Sequence, residues 1–223
     1  GIRFSVGDQL TISNNVIKYN TVGYMGGGVF GQSSGSSVYD NVFIGNRAVY
    51  AGGIYARGGS IVNNIFYDNY VSEFGGAIYI SGEDVDSVYY NKIISNYAAR
   101  SGGGIYAPYA GATISQNIIA DNSTGDSGGT YGKGGGIYFG GELNSAEDLT
   151  QITFNQIINN TSYVSGAGVY VTQDGGLVKN NAIHGNKTTN LGPEEFRCEN
   201  CYNSSSGGTV YSNAFGVGRK GGD

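Results

Sequence analysis

The 223-residue chain is poor in several groups that chemistry and membranes call for. It has no Trp, one Met, one His, two Cys and two Pro. No apolar run approaches the ~20 residues of a membrane-crossing helix, so membrane insertion is not expected. Its 12 basic residues stand singly against 17 acidic ones, a formal net charge of −5. Nothing there would neutralise a row of phosphates, and nucleic acid is not an expected partner. What the chain holds in plenty is Gly (41) and Tyr (19). The glycines follow no Gly-x-y period, which rules out collagen. An apolar fraction of 39% rules out simple disorder. The length suits one domain or one stack of repeats. A start at Gly1, without Met or a signal-like stretch, points to a processed product or a segment of something longer.

One motif recurs, seen at residues 64–79 as NIFYDNYVSEFGGAIY. Aligned on its first Asn, eight copies stand out, at Asn15, Asn41, Asn64, Asn91, Asn117, Asn155, Asn181 and Asn213. Three residues before each is Ile or Val, and two residues after each is Ile or Phe. A second Asn follows at +5 in seven copies, from Asn20 to Asn186; the eighth has Gly218. Further on, a small residue precedes an aliphatic–aromatic pair: Val29-Phe30, Ile54-Tyr55, Ile78-Tyr79, Ile105-Tyr106, Ile137-Tyr138 and Val169-Tyr170.

Steps of 23 to 38 residues between first asparagines exclude a helical heptad. Each copy reads as three short β segments punctuated by Gly and Asn. Ile12 and Ile17 are five apart, which a straight strand would place on opposite faces. Both positions are always apolar, so the chain bends between them. Asn tolerates the left-handed conformation such a bend needs. A three-sided coil meets these demands, stacked at ~4.8 Å so that like strands pair in parallel and like asparagines form a ladder. The glycine before each Ile lets backbone pass close at a corner. The expectation is an all-β protein: a right-handed, single-stranded parallel β-helix of about eight coils of ~26 residues, forming one domain over 1–223.

The F-x-x-N segments FIGN (43–46) and FYDN (66–69), paired with GGAI (75–78), resemble the repeats of polymorphic outer-membrane proteins. More broadly, they are similar to the parallel β-helix repeats of the pectin-lyase-like superfamily. That resemblance covers nearly the whole chain. It implies the β-helix fold and a range of roles: polysaccharide lyase, hydrolase, adhesin or structural surface protein.

The asparagine ladders read as scaffold. Five sequons occur, at Asn122, Asn159, Asn160, Asn186 and Asn203; three of these (Asn122, Asn160 and Asn186) are ladder positions, and Asn203, in a Ser-rich turn, is the glycosylation candidate. By alternation the aromatic after each inward aliphatic faces outward. Phe30, Tyr55, Tyr79, Tyr106, Tyr138 and Tyr170 then form a stripe. It either braces the face as cross-strand pairs or serves as a contact surface for another copy or a glycan.

Insertion loops 123–133 and 140–150 flank one strand of the fifth copy. The second carries Glu142, Glu147 and Asp148, and a turn two coils earlier carries Glu83, Asp84 and Asp86. These acids are either a calcium site or solvated turns. Cys198 and Cys201, in an irregular last coil (187–223), lack the partners of a zinc or redox site; a local disulfide is expected, in keeping with an oxidising compartment. The only His, His184, follows an inward Ile and should be a surface residue. Glu195-Phe196 stands where Ile-Tyr is expected, so either the register shifts or Glu195 turns outward.

The leading expectation is an extracellular or cell-surface structural or adhesive solenoid. It would be able to form filaments through its unpaired ends, with other copies, cell-surface components or glycans as partners. No catalytic residue is assigned, and calcium is the one cofactor considered. The alternative is a secreted polysaccharide lyase or hydrolase, or a carbohydrate-binding module, using the fifth-copy loops.

Overall fold

The computed structural model describes residues 1–4, 9–31, 35–82, 87–109, 111–125, 131–140, 150–172, 176–189, 196–198, 209–211 and 214–215, the last three by backbone alone. Every described element is a strand of two to four residues. All strand pairings are parallel and join equivalent segments of successive windings, so the chain is a parallel β-solenoid. Ile61, for example, pairs with Val38 before it and Val88 after it. Like residues therefore sit over like, and the inward columns Ile54–Ile78–Ile105–Ile137 and Phe43–Phe66–Ile93–Ile119 make one continuous core.

Each winding has four sides, not the three expected. In the third winding these are Ile54–Ala56, Ser60–Val62, Ile65–Tyr67 and Tyr70–Val71. The fourth side is two residues long and contributes one inward residue per winding. That column runs Ala48, Val71, Ala98, Thr124, Ser162, Thr188, changing from apolar to hydroxyl. A column of small residues with mixed chemistry carries little periodic signal, which is why the sequence hides it. The fourth sheet has six strands and the others eight. Among the described residues six windings are thus complete, where about eight coils were expected.

The corners also differ from expectation in one respect. The left-handed residue is not the ladder Asn but the one before it. At the first corner, between sides two and three, these are Asn14, Asp40, Asn63, Tyr90, Gln116, Phe154 and Asn180, all with φ near 55°. At the second corner they include Tyr19, Gly45, Asp68, Ser95, Asp121, Asn159 and Gly185. The ladder Asn follows this bend and ties it down: the amide of Asn64 donates to the carbonyl of Val62, two residues back, at 3.0 Å. A left-handed bulky residue costs on the order of 1–3 kcal/mol, which the ladder holds in place.

The insertions leave the ladder untouched. Asn117 N–H donates to Asn155 Oδ1 at 2.9 Å across a 38-residue step, and Asn41 to Asn64 at the same distance across 23. Of the expected loop 123–133, Ser123–Thr124 is a fourth-side strand paired with Tyr97–Ala98, and Lys133 bridges to Ser165. Thr150 already belongs to the strand Thr150–Thr153. In the last winding Phe196 pairs with Val169 and Arg197 with Tyr170, so the register shifts by one residue there.

Candidate functional site

Side one carries the aromatic stripe, and its rings stack on one another. Centroids lie 5.3 Å apart for Phe30–Tyr55, 4.9 Å for Tyr55–Tyr79, 5.1 Å for Tyr79–Tyr106, 4.6 Å for Tyr106–Tyr138 and 5.3 Å for Tyr138–Tyr170. Both end rings meet a cation. The Arg3 guanidinium stands 5.3 Å from the Phe30 centroid, and Lys133 Nζ stands 4.7 Å from that of Tyr170 while donating to its hydroxyl at 2.7 Å. The stripe is outward of the core but not open: its rings are half-buried, and Tyr170 is fully buried.

The cover comes from a second aromatic row that sequence reasoning missed. Tyr24, Tyr50, Phe74 and Tyr131 stand just ahead of the glycine corner that opens side one. Phe74 stacks on Tyr106 at 4.5 Å, and Tyr50 meets Tyr79 edge-on at 5.9 Å. Arg100 packs over Phe74 and Tyr131, at 5.7 and 4.5 Å, and pairs with Glu73 at 2.6 Å. These aromatics sit one to three residues ahead of the left-handed corner residue (Gly26, Ala51, Gly75 and Gly134), at no fixed offset, so alignment does not reveal them. Burial in this double layer raises the phenol pKa of Tyr79 and Tyr106 well above the ordinary value, with neighbouring phenols adding to it. These hydroxyls stay protonated and act as donors, not as bases.

The remaining candidates fall as follows. Glu83, Asp84, Asp86, Glu142, Glu147, Asp148, Cys201 and Asn203 lie outside the described residues, as does the side chain of Cys198. Among the described residues no three of His, Cys, Asp and Glu gather at one place. His184 is exposed. Asn122, Asn160 and Asn186 are buried in the second ladder, where Asn122 Nδ2 donates to Asn160 Oδ1 at 3.0 Å and Asn160 to Asn186 at 2.9 Å; none can carry a glycan in the fold. No protein-family model, no curated protein and no solved structure matches the chain.

Proposed function

We propose that this chain is a structural or adhesive β-solenoid of an extracellular or cell-surface setting, joining other copies of itself or other surface components. The observation that carries this reading is the use of the stripe's ring faces. Each inner ring of side one spends both faces on its neighbours, so the stripe offers edges and hydroxyls and works as a rib along the rod. A surface that bound sugars by stacking would need free faces there. Among the described residues seven tyrosines elsewhere are exposed, including Tyr24, Tyr67, Tyr70 and Tyr109. Tyr offers rigid area with a polar tip, the chemistry enriched at protein contacts. The resemblance of FIGN, FYDN and GGAI to repeats of surface proteins supports the same setting.

Electron microscopy of concentrated protein tests assembly, with rods joined end to end or side by side as the expected result. Monodisperse short rods at every concentration would count against it. A lyase and hydrolase screen with and without calcium tests the competing enzyme, and turnover in that screen would replace the structural reading.

A further inference from the structure

The first corner carries exposed aromatics of a different kind. Tyr90 and Phe154 occupy its left-handed position, both at φ 58°, a conformation that Asn and Asp take readily and bulky side chains resist. They are 55% and 60% exposed, so burial does not repay the strain. Phe154 stacks on no other ring among the described residues, and Tyr90 has only Tyr89, tilted by 43° at 6.3 Å. The comparable aromatic at the second corner, Tyr19, has a structural explanation: its ring lies over Gly45, where a Cβ would stand 2.7 Å from it. Tyr90 and Phe154 cover no glycine of this kind among the described residues. Strain kept at an exposed ring with a free face marks a surface used for binding.

The surroundings define the ligand. A groove of about 250 Å³ runs along the corner beside Tyr90, lined by Asp40, Asn63, Val42, Ile65 and Lys92. Asn63 Nδ2 donates to Asp40 Oδ1 at 2.6 Å, and both residues are exposed. Gln116, exposed, stands in the same column between Tyr90 and Phe154. Ring, amide and ring follow one another at one winding each, ~4.8 Å, so the two platforms are ~10 Å apart. Flat apolar faces alternating with planar amide and carboxylate groups suit a chain of pyranose rings, each with C–H faces and equatorial hydroxyl pairs. We propose that the first corner binds an extended oligosaccharide, with Tyr90 and Phe154 as stacking platforms and Asp40, Asn63 and Gln116 as hydroxyl partners. This deepens the adhesive reading and rests on it for context only.

Calorimetric titration with cellohexaose, mannohexaose and hexagalacturonate, combined with thermal melts, tests the groove. At least one sugar should bind. Tyr90→Asn and Phe154→Asn should each weaken binding about tenfold, a change of ~1.4 kcal/mol, while raising Tm, because Asn relieves the left-handed strain. Tyr19→Asn should leave the affinity unchanged. Absence of binding to all three sugars overturns the proposal. So does unchanged affinity in both corner variants, whose improved folding rules out simple damage. Neither result bears on rod assembly, which microscopy reads separately.

Discussion

The side chain of Asn91 donates to the carbonyls of Ile61 and Tyr89 and to Oδ1 of Asn117, and its own Oδ1 accepts from the N–H and amide of Asn64. Removing that carboxamide strands several buried partners at once. Each such orphan costs on the order of 1–3 kcal/mol, so Asn91→Ala should lose about 3–5 kcal/mol in denaturant unfolding. Asn15, exposed, is the first described Asn of the same ladder; its amide donates to Ser13 and Asn41, and its Oδ1 accepts from no described residue. Asn15→Ala should lose about 1 kcal/mol or less. Equal losses at the two sites would contradict the ladder as the main polar tie of the fold. Gly53 makes a second residue-scale case. A Cβ there would stand 2.6 Å from the Phe66 ring and 2.7 Å from the Ala77 carbonyl oxygen, whereas the next winding has Ala77 where Ile93 replaces the Phe. Gly53→Ala should therefore destabilise by about 1–3 kcal/mol, and adding Phe66→Ile should recover the part owed to the ring in the same unfolding assay.

At the scale of elements, the stripe links stability to alkaline pH. Tyr79 and Tyr106 keep their protons in the fold beyond the ordinary phenol value near 10. The unfolded chain releases those protons first, so above pH ~10 it binds fewer protons than the native state and stability falls with rising pH. Below that pH the contribution is complete. Melts at stepwise higher pH should show Tm dropping beyond about 10, with part of the phenolate absorbance appearing only on unfolding. Much of this element was legible in advance. The β-branched and aromatic alternation at Ile54-Tyr55 or Ile78-Tyr79 fixes which residue faces in, and register follows from the repeat. The second layer was not legible, because Tyr50 and Phe74 reach the stripe across the corner, and Tyr24 and Tyr131 join them from irregular offsets. The fourth side escaped notice for a related reason: one small inward residue per winding cannot set a period. The bend was placed correctly but assigned to the wrong residue, since Asn both tolerates a left-handed φ and caps the residue that adopts it.

At the scale of the whole molecule, the stack tolerates length changes because hydrogen bonding runs between windings and not along the chain. Steps of 23 and 38 residues give the same ladder geometry. Shortening residues 141–149 to the length of a tight turn should therefore leave Tm within a few degrees, a result readable by thermal melt. The ladder also has an arrow. Each Asn gives its N–H and amide to the Oδ1 of the following winding, as Asn15 does to Asn41 and Asn155 to Asn181. In the first described winding the nitrogen of Gly1 donates to Asn20 Oδ1 at 2.9 Å, so the first acceptor of the second ladder is filled as well. Any winding added to the stack must set its donors against its neighbour's acceptors. A stack of such windings is thereby polar, and two faces of the same kind cannot satisfy one another.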